Sequence, residues 1–96
     1  MNPENVKCPQ KHIKNVQVLY TDETDNFSIA SVLWNENKRI AIRWNGGGDS
    51  LGYPQSRGKA TWFIIPQKVA LAFALSIGNA EMEQVIKAST TTPFVQ

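Results

Sequence analysis

Apolar and polar residues alternate along much of the chain, and this period of two predicts β-strands. The predicted strands cover residues 13–21, 27–34, 39–44 and 60–65. In residues 27–34 the apolar side chains fall on both sides of the strand, which is typical of a central strand covered on both faces. Short clusters of turn-forming residues, 21–26 and 35–38, separate the first three strands and predict antiparallel hairpins.

The third predicted strand has the clearest pattern. Ile40, Ile42 and Trp44 point to one side, and this side is expected to be core. Arg39 and Arg43 point to the other side, which is expected to be solvated or to pair with acidic residues. If Trp44 lies in the core, Trp44→Ala should destabilise the protein by about 3–5 kcal/mol.

After the fourth strand the pattern changes to that of helices. Pro66 suits the first turn of a helix, and Gly78 suits its C-terminal end. Residues 66–77 are apolar nearly all round, which predicts a helix buried within the fold or at a subunit interface. Asn79 is a candidate N-cap for a second helix over residues 80–88.

Together these elements predict a single α+β domain spanning residues 1–96. Its sheet is a three- to four-stranded antiparallel meander, and one or two C-terminal helices pack on one face of that sheet. Residues 1–12 are predicted to be a loose arm and residues 89–96 a tail, with Phe94 and Val95 pinning the tail to a neighbouring surface. The expected core consists of Val16, Val18, Ile40, Ile42, Trp44, Val69, Phe73 and Ile77.

Composition and charge narrow the functional classes. The chain has 96 residues, a net charge of +2 and one cysteine, so no disulfide can form within it. Residues 1–10 lack the apolar run of a signal peptide, and no apolar stretch is long enough to span a bilayer, so a cytoplasmic protein without membrane contact is expected. Residues 37–68 hold six lysines and arginines against one acid, Asp49, a local net charge of +5.

The loop between the last two strands, residues 45–59, is rich in glycine and long for a compact domain. Backbone N–H groups in such loops can hold anions, arginine suits phosphate or carboxylate, and aromatic faces can stack a planar ligand. The candidate ligand-binding residues at this loop are Arg43, Tyr53, Ser56, Arg57 and Lys59. The alternative is a structural loop between two scaffold strands.

Other motifs carry less weight. Residues 48–52 match the G-x-S-x-G pattern of hydrolases, but the only histidine, His12, lies far upstream and a strand follows the loop. Cys8 and His12 are too few to form a structural zinc site. The acidic residues of the turn at 22–25 lack the remaining ligands of a calcium loop. We therefore predict no catalytic residue, no metal and no cofactor.

Three segments carry a resemblance: residues 43–46 (RWNG), 54–58 (PQSRG) and 61–66 (TWFIIP). This pattern is similar to that of short uncharacterised bacterial proteins, some of which resemble products of integron or mobile gene cassettes. The resemblance covers about a quarter of the chain and implies a bacterial, cytoplasmic accessory protein. It implies no activity and no site residues.

The sequence leaves three functional hypotheses open. The first is a non-enzymatic binding or interaction module that forms a homo-oligomer through the helix at 66–77. The second is nucleic-acid binding through the basic segment 37–68, with the steep salt dependence of phosphate contacts. The third is a binder of small anionic ligands under the loop at 45–60.

Overall fold

The computed structural model describes residues 2–89, except for the side chains of Ala88 and Ser89, and it confirms the predicted α+β fold. Its elements are a 3-10 turn (Pro3–Asn5), β1 (Ile13–Asp22), β2 (Phe27–Trp34), β3 (Asn37–Trp44), β4 (Gln55–Ser56), β5 (Lys59–Ala60), β6 (Phe63–Ile65), α1 (Gln67–Ile77) and α2 (Ala80–Ser89). Ser89 ends α2, and the remainder of the predicted tail, with Phe94 and Val95, lies outside the described residues. No helix in this described part is long and apolar enough to cross a membrane.

The main sheet has four antiparallel strands in the order β1-β2-β3-β6. The β2–β3 hairpin turns through Asn35 and Glu36, whose φ angles of 50° and 69° give the strand twist that two-residue hairpins require. The short strands β4 and β5 form a separate two-stranded hairpin within the long loop. The sheet is therefore the predicted meander, extended at one edge by β6.

Both faces of this sheet are covered, so the protein has two clusters of core residues. The helix-side cluster comprises Ile29, Ile40, Ile65, Ala70, Ala74, Met82 and Ile86. The arm-side cluster, on the opposite face, comprises Val6, Ile13, Ala30, Val32, Ala41, Ala60 and Trp62. Burial of residues from both faces of β2 confirms that it is a central strand.

The N-terminal segment forms part of the arm-side core, whereas the sequence predicts a loose arm. The Val6 side chain is 1% exposed, and its carbonyl oxygen accepts a hydrogen bond from Trp62 Nε1 at 2.7 Å. Cys8 forms a parallel β-bridge with Thr61. This polar, proline-containing segment thus packs on the sheet because Val6 is buried there and is hydrogen-bonded to Trp62, 56 positions away in sequence.

Strand β1 departs from simple alternation. Its pairing with β2 shifts register between Lys14 and Gln17 and again between Val18 and Tyr20. Such bulges change which face the following residues occupy. As a result, Val16 packs on the arm side while Tyr20 packs on the helix side, so the prediction that Val16 shares one core with Ile40 is wrong.

The helices confirm the predicted caps but not every predicted core residue. Gly78 ends α1 with a φ of 77° and donates its N–H to Ala74, and Asn79 Oδ1 accepts the N–H of Met82 at 2.9 Å to start α2. Phe73 and Ile77 pack against the helix-side cluster, as predicted. Val69 is instead exposed, because α1 turns its alanines at 70 and 74 toward the sheet.

Candidate functional site

A groove of about 750 Å³ lies between the helix-facing side of the sheet and the C-terminal half of α1. Its volume falls within the roughly 300–1,000 Å³ of pockets that hold small molecules. Three of its lining residues are polar: Arg43, Gln55 and Ser76. The other nine are apolar or aromatic: Phe27, Ile29, Ile42, Trp44, Tyr53, Pro54, Phe63, Phe73 and Ile77.

Strand register places the aromatic side chains next to one another. Trp44 lies directly opposite Phe27 on β2, and the two rings meet edge to face with centroids 6.0 Å apart. On its other side Trp44 bridges to Tyr53, with N–H···O distances of 2.7 and 2.9 Å in the two directions. Phe63 of β6 pairs with Ile42, two residues before Trp44, and so lies beside this row.

These aromatic residues remain exposed because the two helices leave this end of the sheet face uncovered. Strands β2 and β3 each have eight residues, which span roughly 26 Å, whereas the eleven residues of α1 span roughly 16 Å. The uncovered end of the face leaves Trp44 56% exposed, Tyr53 65% exposed and Phe63 59% exposed. Contiguous exposed apolar patches are a feature of interaction surfaces and ligand-binding grooves.

The prediction that Trp44 belongs to the core is therefore wrong. Alternation correctly placed it on the same face as Ile40 and Ile42, and Ile40 is fully buried. Trp44 is the last residue of β3, beyond the reach of the helices, and a period of two along one strand carries no information about how far the opposite layer extends.

Arg43 is buried on the opposite face, so the expectation of a solvated arginine at this position is also wrong. Its side chain is 2% exposed, its Nη1 donates to the Thr61 carbonyl at 2.5 Å, and its Nη2 donates to the Leu51 carbonyl. Its Nε is buried and has no partner among the described residues. Burial lowers the pKa of Arg43 from its ordinary value, because desolvation penalises the charged form.

The glycine-rich loop folds back on the end of β3, and this arrangement places Tyr53 beside Trp44. Asn26 Nδ2 donates to the Gly46 carbonyl at 2.7 Å, and the Asn45 N–H donates to the Asn26 carbonyl at 2.8 Å. Gly52 has a φ of 70°, and a Cβ there would collide with the carbonyl oxygen of Trp44. Backbone packing at this glycine thus brings the next residue, Tyr53, into register with Trp44.

Of the five predicted ligand-binding residues, only Tyr53 presents its side chain to the groove; Arg43 belongs to the lining, but its side chain is buried on the opposite face of the sheet. Ser56, Arg57 and Lys59 are exposed on the β4–β5 hairpin, outside the groove lining. Arg57 has a φ of 52° and forms the turn of that hairpin together with Gly58.

Several groove residues were missed by the sequence prediction: Phe27, Gln55, Phe63, Phe73, Ser76 and Ile77. Alternation along residues 60–65 places Phe63 on the same side as Ile65, which is in the helix-side core. Nothing in the sequence showed that this end of the face stays open.

Ser50, His12 and Asp22, from the motifs of lesser weight, make local hydrogen bonds in the structure. Ser50 Oγ accepts the Gly52 N–H at 3.2 Å. His12 Nδ1 lies 2.7 Å from Asn35 Oδ1, at the end of the sheet opposite to this loop. Asp22 Oδ1 accepts the N–H groups of the turn that follows it, and the described residues contain no group of three or more Cys, His, Asp or Glu arranged to hold a metal ion.

Comparisons with protein-family models, with curated proteins and with solved structures find no match to this chain. The likeness to gene-cassette proteins therefore stays a prediction. The aromatic groove is the feature from which a function can be argued.

Proposed function

We propose that this chain is a non-enzymatic binding module that takes a small, planar, apolar molecule into the aromatic groove. The observation that carries the proposal is the exposure of Trp44, Tyr53 and Phe63 side by side at one end of the sheet. Aromatic faces held in place by strand pairing can stack a planar molecule without first losing side-chain freedom. The proposal keeps the cytoplasmic, bacterial accessory setting that the resemblance implies.

The distribution of cations favours a small ligand over a nucleic acid. A polyanion needs several exposed lysines and arginines along its path. Arg43 is engaged inside the fold, and Arg39 projects from β3 on the face opposite the groove. The other four cations of the segment 37–68 are exposed but spread over three places: Arg57 and Lys59 on the neighbouring hairpin, Lys38 at the start of β3 and Lys68 at the start of α1.

The test is a calorimetric titration with 2-naphthylmethanol, a neutral planar probe. Stacking on an aromatic side chain contributes about 1–3 kcal/mol, so Trp44→Ala should weaken binding by roughly 5- to 150-fold. Leu75→Ala is the matched control, because Leu75 is an equally exposed apolar residue (58%) on α1 that does not line the groove. This control variant should bind the probe as the wild type does.

Two outcomes would contradict the proposal. One is the absence of binding to the wild type at millimolar probe. The other is an equal loss of affinity in Trp44→Ala and Leu75→Ala, which would place the probe elsewhere. Light scattering of the same samples measures the oligomeric state. If the wild type is a dimer, and Trp44→Ala dissociates it while the probe does not, the groove holds a second copy of the chain and the proposal is wrong.

A further inference from the structure

Among the side chains that the structure describes, none presents a charge to the groove. None of the twelve lining residues is an aspartate or glutamate, and the one basic residue among them, Arg43, has its side chain buried on the opposite face of the sheet. A charged group that entered this apolar space would lose part of its hydration without gaining an ionic partner, which is unfavourable. The lining therefore favours an uncharged ligand.

A polar group of fixed orientation does line the groove: the side-chain amide of Gln55. Its Nε2 donates to the Gly52 carbonyl oxygen at 2.7 Å. A carbonyl oxygen only accepts hydrogen bonds, so the amide nitrogen must face Gly52 and the amide oxygen must point away from it. Gly52 is buried and packs against the backbone of Trp44, so the partner that orients the amide is itself fixed.

Two hydrogen-bonding groups of this amide are left over. A glutamine amide carries two N–H donors and one acceptor oxygen, and the bond to Gly52 uses one donor. Within the described part of the chain, no second partner bonds to this side chain. The free oxygen and the free N–H belong to one flat amide, the group through which glutamine pairs with a neighbouring donor and acceptor at the edge of a heteroaromatic ring.

We infer that the ligand is an uncharged heteroaromatic lactam, whose adjacent N–H and carbonyl oxygen pair with the Gln55 amide while its ring stacks on Trp44 and Tyr53. This inference rests on the proposed function and adds one polar edge to the planar molecule described there. Gln55 follows Tyr53 by two residues, so the amide and the stacking surface lie close together in the lining. The Ser76 and Tyr53 hydroxyls can each donate or accept, so they do not select for one type of edge.

Water sets the size of the expected effect. Gln55 is exposed, so water competes with the ligand for the free amide groups. A neutral hydrogen bond formed in such an exchange has a modest net value, which corresponds to roughly a 2- to 12-fold gain in affinity. Aromatic stacking thus supplies most of the binding, and Gln55 acts as a residue that determines specificity.

The test compares 2-quinolinone with 1-methyl-2-quinolinone, which has the same ring and carbonyl but a methyl group in place of the N–H. Both are titrated calorimetrically into the wild type and into Gln55→Met. The ratio of the two affinities, lactam over methyl lactam, should fall by roughly 2- to 12-fold in Gln55→Met, because the substitution removes the oxygen that accepts the N–H. Comparing this ratio between proteins cancels the added contacts of the methyl group.

Gln17→Met is the matched control, since it makes the same substitution at an exposed glutamine of β1 outside the groove lining. It should leave the ratio as in the wild type. Gln55→Met should fold as the wild type does, because surface substitutions usually have small effects on stability, and circular dichroism checks this.

An unchanged ratio in Gln55→Met, or an equal fall in Gln17→Met, would overturn the inference. The proposed function would still stand if 2-naphthylmethanol binds the wild type and Trp44→Ala weakens that binding, since this result does not involve Gln55. If the wild type binds 2-naphthylmethanol but neither quinolinone, the inference alone fails. If it binds none of the three probes, both fail.

Discussion

Trp62→Ala should lower the free energy of unfolding by about 3–5 kcal/mol, the usual range for a large aromatic truncated in a core. Trp62 is 5% exposed within the arm-side cluster, and its Nε1 donates a hydrogen bond to the Val6 carbonyl oxygen at 2.7 Å. The substitution would leave a cavity between the sheet and the N-terminal segment and remove the hydrogen bond that anchors that segment.

Trp44→Ala is the matched comparison, and it should cost no more than about 1 kcal/mol, since substitutions on the surface usually have small effects. Urea denaturation followed by far-UV circular dichroism would measure both variants against the wild type. Equal losses for Trp44 and Trp62 would contradict the assignment of one tryptophan to the groove and the other to the core.

Gly52→Ala should destabilise the protein by more than about 2 kcal/mol, because the left-handed conformation alone costs about 1–2 kcal/mol for a residue with a Cβ. The φ of Gly52 is 70°, and the added Cβ would also collide with the Trp44 carbonyl oxygen and lie 2.8 Å from Arg43 Nη2. The loop would have to move away from β3, taking Tyr53 out of register with Trp44. We therefore expect weaker binding of 2-naphthylmethanol as well.

Gly47→Ala is the control for this loop. A Cβ at Gly47 meets no atom within 4 Å and its φ is not positive, so the substitution should change stability by about 0.5 kcal/mol or less. Thermal unfolding of the two variants separates a specific backbone requirement at Gly52 from a general preference for glycine. Similar melting temperatures for both would contradict the packing described for this loop.

The sequence pattern predicted most of the fold because its signals are local. Alternation in β3 and β6 assigned faces correctly, and Pro66, Gly78 and Asn79 marked the ends of the helices through their own backbone preferences. The bulges in β1 escaped prediction, since a bulge depends on how two strands pair. The burial of Val6 escaped it too, because its partner Trp62 is distant in sequence.

The candidate site was predicted less well, for a related reason. The sequence directed attention to the loop and to Arg43 and Tyr53, and of these two side chains only that of Tyr53 faces the groove. It could not show that the Arg43 side chain would be buried, because the carbonyl oxygens that accept its hydrogen bonds come together only in the folded chain. Nor could it show that Trp44 would remain exposed, because this depends on how much of the sheet the helices cover.

The most direct test of the groove as the binding surface is an amide chemical-shift map of the ¹⁵N-labelled protein titrated with 2-naphthylmethanol. We expect the largest shifts at the groove amides of Trp44, Tyr53 and Phe63, with little change at Val69 and Leu75 on the exposed side of α1. Shifts centred on Val69 and Leu75, or no saturable shifts at all, would contradict the account.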